Sequence, residues 1–421
     1  YFTIWGRHLN WGYYDHTPLA GWWLAFVFLF SDDVFAIRVA AVLVSILPAW
    51  LIHLDSRGQP SSQKNWVLVA FFLPVFYINV FYTTDTWLIG FGILAMWLYV
   101  RATQVNEGRW YIFVGLCLAF AFLSKYLAVL IGLGMVVDQC VRRRQPVRNL
   151  CLILLPVIPT VLLNLWWNQN HCGYNFLFNV VNRQTDAEFD VLGPLKFAVL
   201  GAYAVTPWLA GFAVWKRFRQ HSPISEACRV WFTLWAVPAG ALAVVSLWSS
   251  VGLHWLIPIC FAFLMFCRTL LTDLNRQQSL WIGRLTVGFG LLHGITLAII
   301  ALHPIENVIA PDKANKIGFY RFGSEVADLL AAELSVDLIT SPSYSRAAIL
   351  AYHLGQDVPV IGEGSVYGRQ TDLIFDYQQF DGAEIAIVGS SASELQQFGQ
   401  WFETTRLQEF TLVGGIKFWV L

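Results

Sequence analysis

The sequence predicts an all-α polytopic membrane bundle of about ten spans, followed by a small α/β domain. Three observations lead to this fold class. First, 57% of the 421 residues are apolar and 13% are charged, against about 25% charged in an ordinary soluble domain. Second, apolar stretches near span length recur from residue 34 to residue 302. Third, residues 1–302 carry 20 basic and 12 acidic residues, whereas residues 303–421 carry 7 and 15.

This composition excludes a disordered chain, a soluble enzyme and a nucleic-acid-binding protein, so no nucleic-acid partner is expected. The charge split indicates two bodies in two environments. We therefore expect an extracytoplasmic loop and juxtamembrane helix at 1–33, a transmembrane helical bundle at 34–302 and an extracytoplasmic α/β domain at 303–421.

A helix needs about 20 apolar residues to cross the hydrocarbon core of a bilayer. The stretch Thr17–Phe30 is shorter and predicts a re-entrant or interfacial helix. The stretches 110–123 and 126–139 are separated by Ser124, Lys125 and Tyr126, which favours a hairpin of two spans. The predicted spans are 34–54, 66–81, 86–102, 110–123, 126–139, 149–167, 195–215, 229–249, 254–272 and 281–302.

The basic residues predict an orientation, since cytoplasmic loops carry an excess of Lys and Arg. One set of alternate loops, with its flanks, holds fifteen basic residues, including Arg143 and Arg144, and the opposite side holds five. Ten spans that begin outside also end outside, so the acidic tail is expected to be extracytoplasmic. The predicted cytoplasmic loops are 55–65, 102–109, 140–148, 216–228 and 273–280.

The acidic tail shows short apolar runs that alternate with helical patterns, which is typical of a small α/β domain. The Gly362-Glu363-Gly364 sequence indicates no more than a turn, so we expect the domain to shape or cover a site. Predicted helices are 324–334, 344–354 and 392–403, and predicted strands are Val336–Ile339, Val358–Ile361, Ile385–Val388 and Ile416–Val420.

Polar residues of the membrane part gather at the predicted outer ends of separate spans. Polar side chains at membrane depth are costly and mark function. A transporter more often places them at the bilayer midplane between broken helices, where this sequence has none. The pattern favours an enzyme whose site opens to the outer leaflet. The residues are Asp15, His16, Asp85, Lys125, Arg183 and His254.

Asp15 and His16 precede a predicted helix that Pro18 can begin, because N–H groups in the first turn of a helix have no partner within the helix and proline lacks only that group. In one interpretation Asp15 or Thr17 simply caps this helix. In the other, the carboxylate–imidazole pair and the helix N-terminus form a site for a phosphate or a metal ion.

Several segments in the same order resemble the glycosyltransferase family 39 type, which includes bacterial protein mannosyltransferases and lipid A aminoarabinose transferases. The resemblance covers the membrane part and, more loosely, the tail. The segments are Trp5–Leu9, Gly12–Leu19, Tyr82–Thr86, Leu123–Leu130, Trp167-Asn168, His171–Gly173 and Gly252–Trp255.

The resemblance implies a GT-C fold in the bacterial plasma membrane, a polyprenyl-phosphate-linked sugar donor, no nucleotide cofactor and a site at the extracytoplasmic face. In the family, an acidic residue in the first outer loop is the expected base, a few residues before the position of Tyr1. Because this chain begins at Tyr1, we expect that carboxylate and a further span to lie upstream of the sequence.

The reaction needs a base and positive charge on the leaving phosphate. We assign the catalytic candidates Asp15, His16 and Asp85; Asp85 is alternatively the N-cap of its span. Lys125 and Arg183 are expected at the lipid phosphate, with a snorkelling lysine and a solvated arginine as alternatives. Tyr14, Tyr82 and Tyr126 are expected at the substrate, or else in an aromatic belt.

In the aminoarabinose transferase branch, a divalent metal ion is held by an acidic residue at the position of Asp15 and by a later histidine, here His254. The alternative is that His254 is a histidine satisfied beside Trp255 and binds no metal. The leading hypothesis is thus a glycosyltransferase that acts on a lipid, lipopolysaccharide, other glycan or protein acceptor of the cell envelope. A flippase of lipid-linked sugars and a non-catalytic homologue are the alternatives.

Overall fold

The computed structural model describes residues 1–77, 80–142, 145–184, 188–219, 224–303, 311–363, 366–412 and 415–421. Arg143 and Arg144, which contributed to the predicted orientation, lie outside these residues, as does Gly364 of the predicted turn.

Helices dominate the membrane part. They are α1 (Phe2–Arg7), α2 (Leu19–Phe28), α3 (Val34–Asp55), α4 (Ser61–Phe71), α5 (Pro74–Tyr77), α6 (Thr84–Val105), α7 (Gly108–Ser124), α8 (Ala128–Arg142), α9 (Pro146–Asn170), α10 (Tyr174–Val180), α11 (Gly193–Ala204), α12 (Pro207–Arg219), α13 (Glu226–Val245), α14 (Ile257–Leu270) and α15 (Arg276–Leu302). Short 3₁₀ segments occur at Asn182–Gln184 and Leu253–Leu256.

Six helices among the described residues are long and apolar enough to cross a membrane, or up to seven if the bent pair α11 and α12 forms one span. The chain is therefore a membrane protein, but the predicted count of about ten spans is not confirmed. The predicted span 66–81 is divided between α4 and α5, and 110–123 and 126–139 form the shorter helices α7 and α8.

The bend between α11 and α12 is 99°. Thr206 precedes Pro207, and proline disfavours helical backbone in the residue before it. Thr206 has a φ of 70°, which is unusual for a β-branched residue. The predicted span 195–215 is thus interrupted at a proline that hydropathy alone does not reveal.

Helix α14 lies at the centre of the bundle and packs against α6, α12 and α13. Thr269 is its one residue that is not buried. In contrast, only 17% of the apolar window of α9 and 11% of that of α15 is buried, so these two helices present their apolar surface to lipid.

The tail contains α16 (Pro311–Arg321), α17 (Gly323–Glu333), α18 (Tyr344–Leu354) and α19 (Ala392–Gln396), and the strands β1 (Leu338–Thr340), β2 (Ile385–Gly389), β3 (Gln408–Thr411) and β4 (Lys417–Val420). The strand order is β1-β2-β4-β3. β1 and β2 are parallel, with Leu338 opposite Ile385, and β4 is antiparallel to both β2 and β3.

The α/β character of the tail follows the prediction, although individual elements differ. The predicted helix 392–403 forms an α-helix only over Ala392–Gln396. The predicted strand Val358–Ile361 forms only an isolated bridge between Val360 and Ser341. The strand Gln408–Thr411 was missed, because only Phe410 of its four residues is buried and the apolar alternation is therefore weak.

The tail domain packs on the N-terminal segment. Arg7 donates to the carbonyl oxygen of Ala351 at 3.1 Å, and His8 Nε2 lies 2.5 Å from Asp357 Oδ2. The Tyr352 hydroxyl donates to the carbonyl oxygen of Asp32 at 3.2 Å. These contacts place the domain over the end of the bundle where the polar residues lie.

Candidate active site

The loop before α2 is held in a tight turn. The N–H of Tyr13 donates to the carbonyl oxygen of His16. Asn175 donates to the carbonyl oxygen of Tyr13 at 2.8 Å, and Asn179 donates to that of Asp15 at 3.0 Å. A Cβ at Gly12 would lie 2.5 Å from the Trp167 ring. The side chains of α9 and α10 thus fix the positions of Asp15 and His16.

The capping interpretation of this loop is wrong. The residue before the first turn of α2 is Pro18 itself, with no side-chain capping bond. Thr17 Oγ1 is buried and has no hydrogen-bond partner among the described residues. The Asp15 carboxylate instead accepts a hydrogen bond from the Tyr1 hydroxyl at 3.0 Å. Asp15 is therefore available to a site.

The interpretation of Asp85 as the N-cap of its span is also wrong. Thr83 caps α6 by accepting from the N–H of Asp85, and a reciprocal bond from Thr83 N–H to Thr86 completes a capping box. The Asp85 side chain therefore does not cap the helix. It lies in the first turn of α6, where the helix dipole favours a negative charge.

Lys125 lies at the break between α7 and α8, and its Nζ donates to both carboxylate oxygens of Asp85 at 2.9 Å. Lys125 is 8% exposed, so it does not snorkel to the surface. The anion partner that a lone lysine requires at this depth is thus a carboxylate of the protein. Removal of either member would leave an unpaired buried charge.

A cavity of about 380 Å³ opens beside this ion pair. It brings together six of the predicted site residues, namely Asp15, His16, Asp85, Lys125, Arg183 and His254. Its volume lies within the range of about 300–1,000 Å³ typical of small-molecule sites. The other lining residues are Tyr1, Phe2, Phe81, Thr83, Thr84, Ile89, Phe178, Ile257, Tyr344, Tyr367 and Gly368.

Three predicted substrate tyrosines lie outside the cavity lining. The Tyr82 hydroxyl donates to the carbonyl oxygen of Ala20 at 3.0 Å, and the Tyr126 hydroxyl donates to Asn164 Oδ1 at 2.9 Å. The backbone N–H of Tyr14 donates to Gln370 Oε1 at 2.7 Å. These bonds indicate that the three residues position neighbouring segments.

Burial shifts the pKa values of Asp15 and His16, which are adjacent in this loop, in opposite directions. Removal from water raises the pKa of the Asp15 carboxyl to about 7, although the Tyr1 hydrogen bond opposes this shift. Burial lowers the pKa of His16 to about 3, helped by the nearby positive charge of Lys125. His16 is thus a neutral imidazole at physiological pH, whereas Asp15 titrates near neutrality.

Positive charge in the cavity comes from Lys125 and Arg183. The Arg183 guanidinium lies over the Trp255 ring, with Cζ 4.9 Å from the ring centroid, and Lys125 Nζ is 5.9 Å from the same centroid. Lys125 is neutralised by Asp85. Arg183 therefore provides the charge that is most accessible to an anionic ligand.

The predicted divalent metal site does not fit the side chains present. Within the described ranges, no three His, Cys, Asp or Glu side chains come close enough to hold a metal ion. The carboxylate oxygen near His254 Nε2 belongs to Asp85, at 3.9 Å, and it already binds Lys125.

Sequence reasoning missed the contribution of the tail to the cavity. Tyr344, Tyr367 and Gly368 lie more than 300 residues from Asp15 in the sequence, and no local pattern distinguishes them. The one indication of this contribution in the sequence was the expectation that the tail domain shapes or covers a site. Tyr1 and Phe2, which also line the cavity, were not predicted either.

A larger groove of about 730 Å³ lies on another side of α14, between α11, α12 and α13. Almost all of its lining is apolar, and Arg217 is its one charged residue. It lacks the convergent polar groups of a reaction site. The smaller ionic cavity is therefore the better candidate for chemistry.

Residues 15–167, somewhat more than a third of the chain, match the family described as dolichyl-phosphate-mannose-protein mannosyltransferase. A lipid A galacturonosyltransferase of Rhizobium johnstonii is 24% identical over 250 residues, which cover 55% of this chain and 52% of that protein. An undecaprenyl phosphate-alpha-4-amino-4-deoxy-L-arabinose arabinosyl transferase of Edwardsiella ictaluri is 27% identical over 167 residues, covering 37% and 30%. The matched part thus spans about half of the first relative and less than a third of the second.

Crystal structures of ArnT from Cupriavidus metallidurans share the fold. The structure bound to undecaprenyl phosphate superposes with a TM-score of 0.66 at 14% identity, covering 100% of this chain and 91% of that chain. The apo structure superposes with a TM-score of 0.65, covering 100% of this chain and 92% of that chain. The resemblance to GT-C glycosyltransferases of the family 39 type, including the lipid A aminoarabinose transferase type, is confirmed.

Proposed function

We propose, from the GT-C fold and its ionic cavity, that this chain is a membrane glycosyltransferase. It transfers a sugar from a polyprenyl-phosphate donor to a lipid acceptor of the bacterial envelope. The proposed reaction takes place at the extracytoplasmic face of the plasma membrane. The excess of basic residues in the loops expected to be cytoplasmic supports this orientation.

One observation carries this proposal. The cavity combines a carboxyl group that titrates near pH 7, Asp15, with an accessible guanidinium, Arg183, and a buried ion pair, Asp85–Lys125. A sugar phosphoester needs a base on one side and positive charge on the other. The described part of the chain brings both into a single cavity.

In the proposed reaction, the oxygen of an acceptor hydroxyl attacks the anomeric carbon of the sugar. The bond from that carbon to the phosphate oxygen breaks, and its electron pair leaves with polyprenyl phosphate. Asp15 takes the proton of the hydroxyl, and Arg183 stabilises the charge of the leaving phosphate, with Lys125 behind it. The donor is already activated by its phosphate, so the step uses no nucleotide cofactor.

The relatives guide the choice of acceptor. Two matched proteins are named for transfer of galacturonic acid to lipid A and of aminoarabinose from undecaprenyl phosphate, and the matched family is named for protein mannosyltransferases. We therefore propose lipid A as the first acceptor to test. Another envelope glycan or a protein is the alternative.

The pKa of Asp15 predicts a pH dependence of transfer. Burial raises that pKa to about 7, so the carboxyl is protonated, and inactive as a base, below this value. With saturating donor, transfer should rise with pH, by about tenfold per unit below pH 7, and level off above it. His16 should contribute no inflection, because its pKa lies near 3. A flat initial-rate profile from about pH 5.5 to 8.5 would contradict the assignment.

Arg183→Gln should weaken binding of polyprenyl phosphate by about 10- to 100-fold, because a charged hydrogen bond contributes about 1.5–3 kcal/mol. Binding can be measured in lipid nanodiscs by native mass spectrometry. Arg219→Gln is the matched control, since Arg219 also lies over a tryptophan ring, at 5.3 Å from Trp215, but outside the cavity. Equal losses in both variants would remove Arg183 from the phosphate site.

A transfer assay distinguishes the proposal from a flippase. The protein, expressed with any coding sequence that precedes Tyr1, is reconstituted in vesicles with a radiolabelled polyprenyl-phosphate sugar and an envelope lipid extract. Label recovered in lipid A or another acceptor supports a transferase. Label that crosses the bilayer but stays on polyprenyl phosphate would indicate a flippase, and label that does neither would favour a non-catalytic homologue.

A further inference from the structure

The C-terminal domain supplies one wall of the cavity. Tyr344, at the start of α18, and the segment with Tyr367 and Gly368 line it. Among the described lining residues, the charged side chains come from the membrane part, whereas the tail contributes two phenol rings and a glycine. The cavity thus has an ionic wall and an aromatic wall.

The position of Tyr344 is set by close packing. A Cβ at residue 368 would lie 2.4 Å from Tyr344 Cβ and 2.5 Å from Cγ, and Gly368 has a φ of +70°. The Tyr344 ring meets the Tyr1 ring edge to face, with 5.7 Å between centroids. Only glycine at position 368 leaves the ring in this place.

The second ring is connected to the loop of Asp15. Tyr367 packs edge to face on Phe178, at 5.6 Å. On either side of it, the carbonyl oxygen of Val366 accepts from the Tyr14 hydroxyl at 3.3 Å, and the buried Gln370 accepts from the Tyr14 N–H. Tyr14 thus holds the tail segment against the loop that carries the proposed base.

We propose that Tyr344 and Tyr367 contact the sugar of the donor and determine which sugar is accepted. This inference rests on the proposed function. With the phosphate at Arg183 and the anomeric carbon near Asp15, the sugar lies toward the aromatic wall. A tyrosine offers an apolar ring face to the C–H groups of a sugar and a hydroxyl to its polar groups. This wall presents no charge, so it selects by shape and by hydroxyl pattern.

The test compares two ligands, a polyprenyl-phosphate sugar and polyprenyl phosphate without sugar, on the whole protein in nanodiscs. Tyr344→Leu should lower the affinity for the sugar-bearing lipid by about tenfold, the upper end of an aromatic contact. Its affinity for polyprenyl phosphate should stay within about twofold, which also shows that the variant is folded. Tyr344→Phe keeps the ring and should lose no more than about threefold.

A pair of glycines provides a matched control. Gly368→Ala and Gly355→Ala both place a side chain at positive φ, +70° and +69°, but only the former meets Tyr344, since nothing lies within 4 Å of a Cβ at 355. Gly368→Ala should reproduce the selective loss of sugar-bearing lipid, and Gly355→Ala should not.

The outcomes separate this inference from the proposed function. If the wild type binds both lipids but Tyr344→Leu and Gly368→Ala leave their affinity ratio unchanged, the aromatic wall does not contact the sugar. The inference would likewise be overturned if Gly355→Ala changed the ratio as much as Gly368→Ala. If the wild type binds neither lipid, both the proposed function and the inference fail.

Discussion

Asp15→Asn is expected to lower the rate of sugar transfer by about 10²–10⁴-fold, the range for loss of a general base. Asparagine has nearly the shape of aspartate and can still accept from the Tyr1 hydroxyl, so the loop should keep its structure. The variant should bind the donor with an affinity within about threefold of the wild type. Single-turnover transfer and donor binding, measured on the same preparation, check both expectations.

Asp190→Asn is a suitable control for this experiment. Asp190 is paired with Lys196 at 2.7 Å and lies outside the cavity lining. Its substitution should leave transfer unchanged. If Asp15→Asn transferred sugar as fast as Asp190→Asn, Asp15 would not be the base, and the acidic residue that the family resemblance places before Tyr1 would be the next candidate.

Lys125→Met is expected to destabilise the protein by about 3–5 kcal/mol, because it leaves the Asp85 carboxylate buried without a partner. The double variant Asp85→Asn/Lys125→Met removes both charges and should recover most of this loss. It should not recover donor binding, because the N–H donors that Lys125 contributes to the cavity lining are still missing. Unfolding in detergent and donor binding are measured on the single and double variants.

The comparison of the single and double variants separates the structural role of the Asp85–Lys125 pair from its role in donor binding. If the double variant were as stable as the wild type and also bound donor normally, the pair would be purely structural. If Lys125→Met cost no stability, the bidentate contact at 2.9 Å would not be the buried interaction described above. Asp85→Asn alone, which leaves an unpaired ammonium, should resemble Lys125→Met in stability.

The site residues were largely predictable because charge at membrane depth is rare. The six polar residues singled out from the sequence all line one cavity. Lys125 was expected at the lipid phosphate, whereas the structure pairs it with the Asp85 carboxylate. Its partner Asp85 was not identified, since the two are forty residues apart and no local rule pairs them. The role of Asp85 as an N-cap was wrong because Thr83, two residues earlier, performs it.

The number of spans was less predictable for a physical reason. Hydropathy counts apolar residues but does not detect where a helix bends or breaks. The break at Pro74 and the 99° bend before Pro207 each depend on one proline and its neighbours. The aromatic wall could not be predicted at all, because Tyr344 meets Tyr1 only through the docking of the tail.

The most direct test of the central claim is the stoichiometry of the reaction. Purified protein is incubated with a polyprenyl-phosphate sugar and lipid A, and both products are quantified by mass spectrometry. We predict one free polyprenyl phosphate for each sugar transferred to the acceptor, with neither product formed by Asp15→Asn. Transport of intact donor, or release of polyprenyl phosphate without a glycosylated acceptor, would contradict the assignment of this chain as a glycosyltransferase.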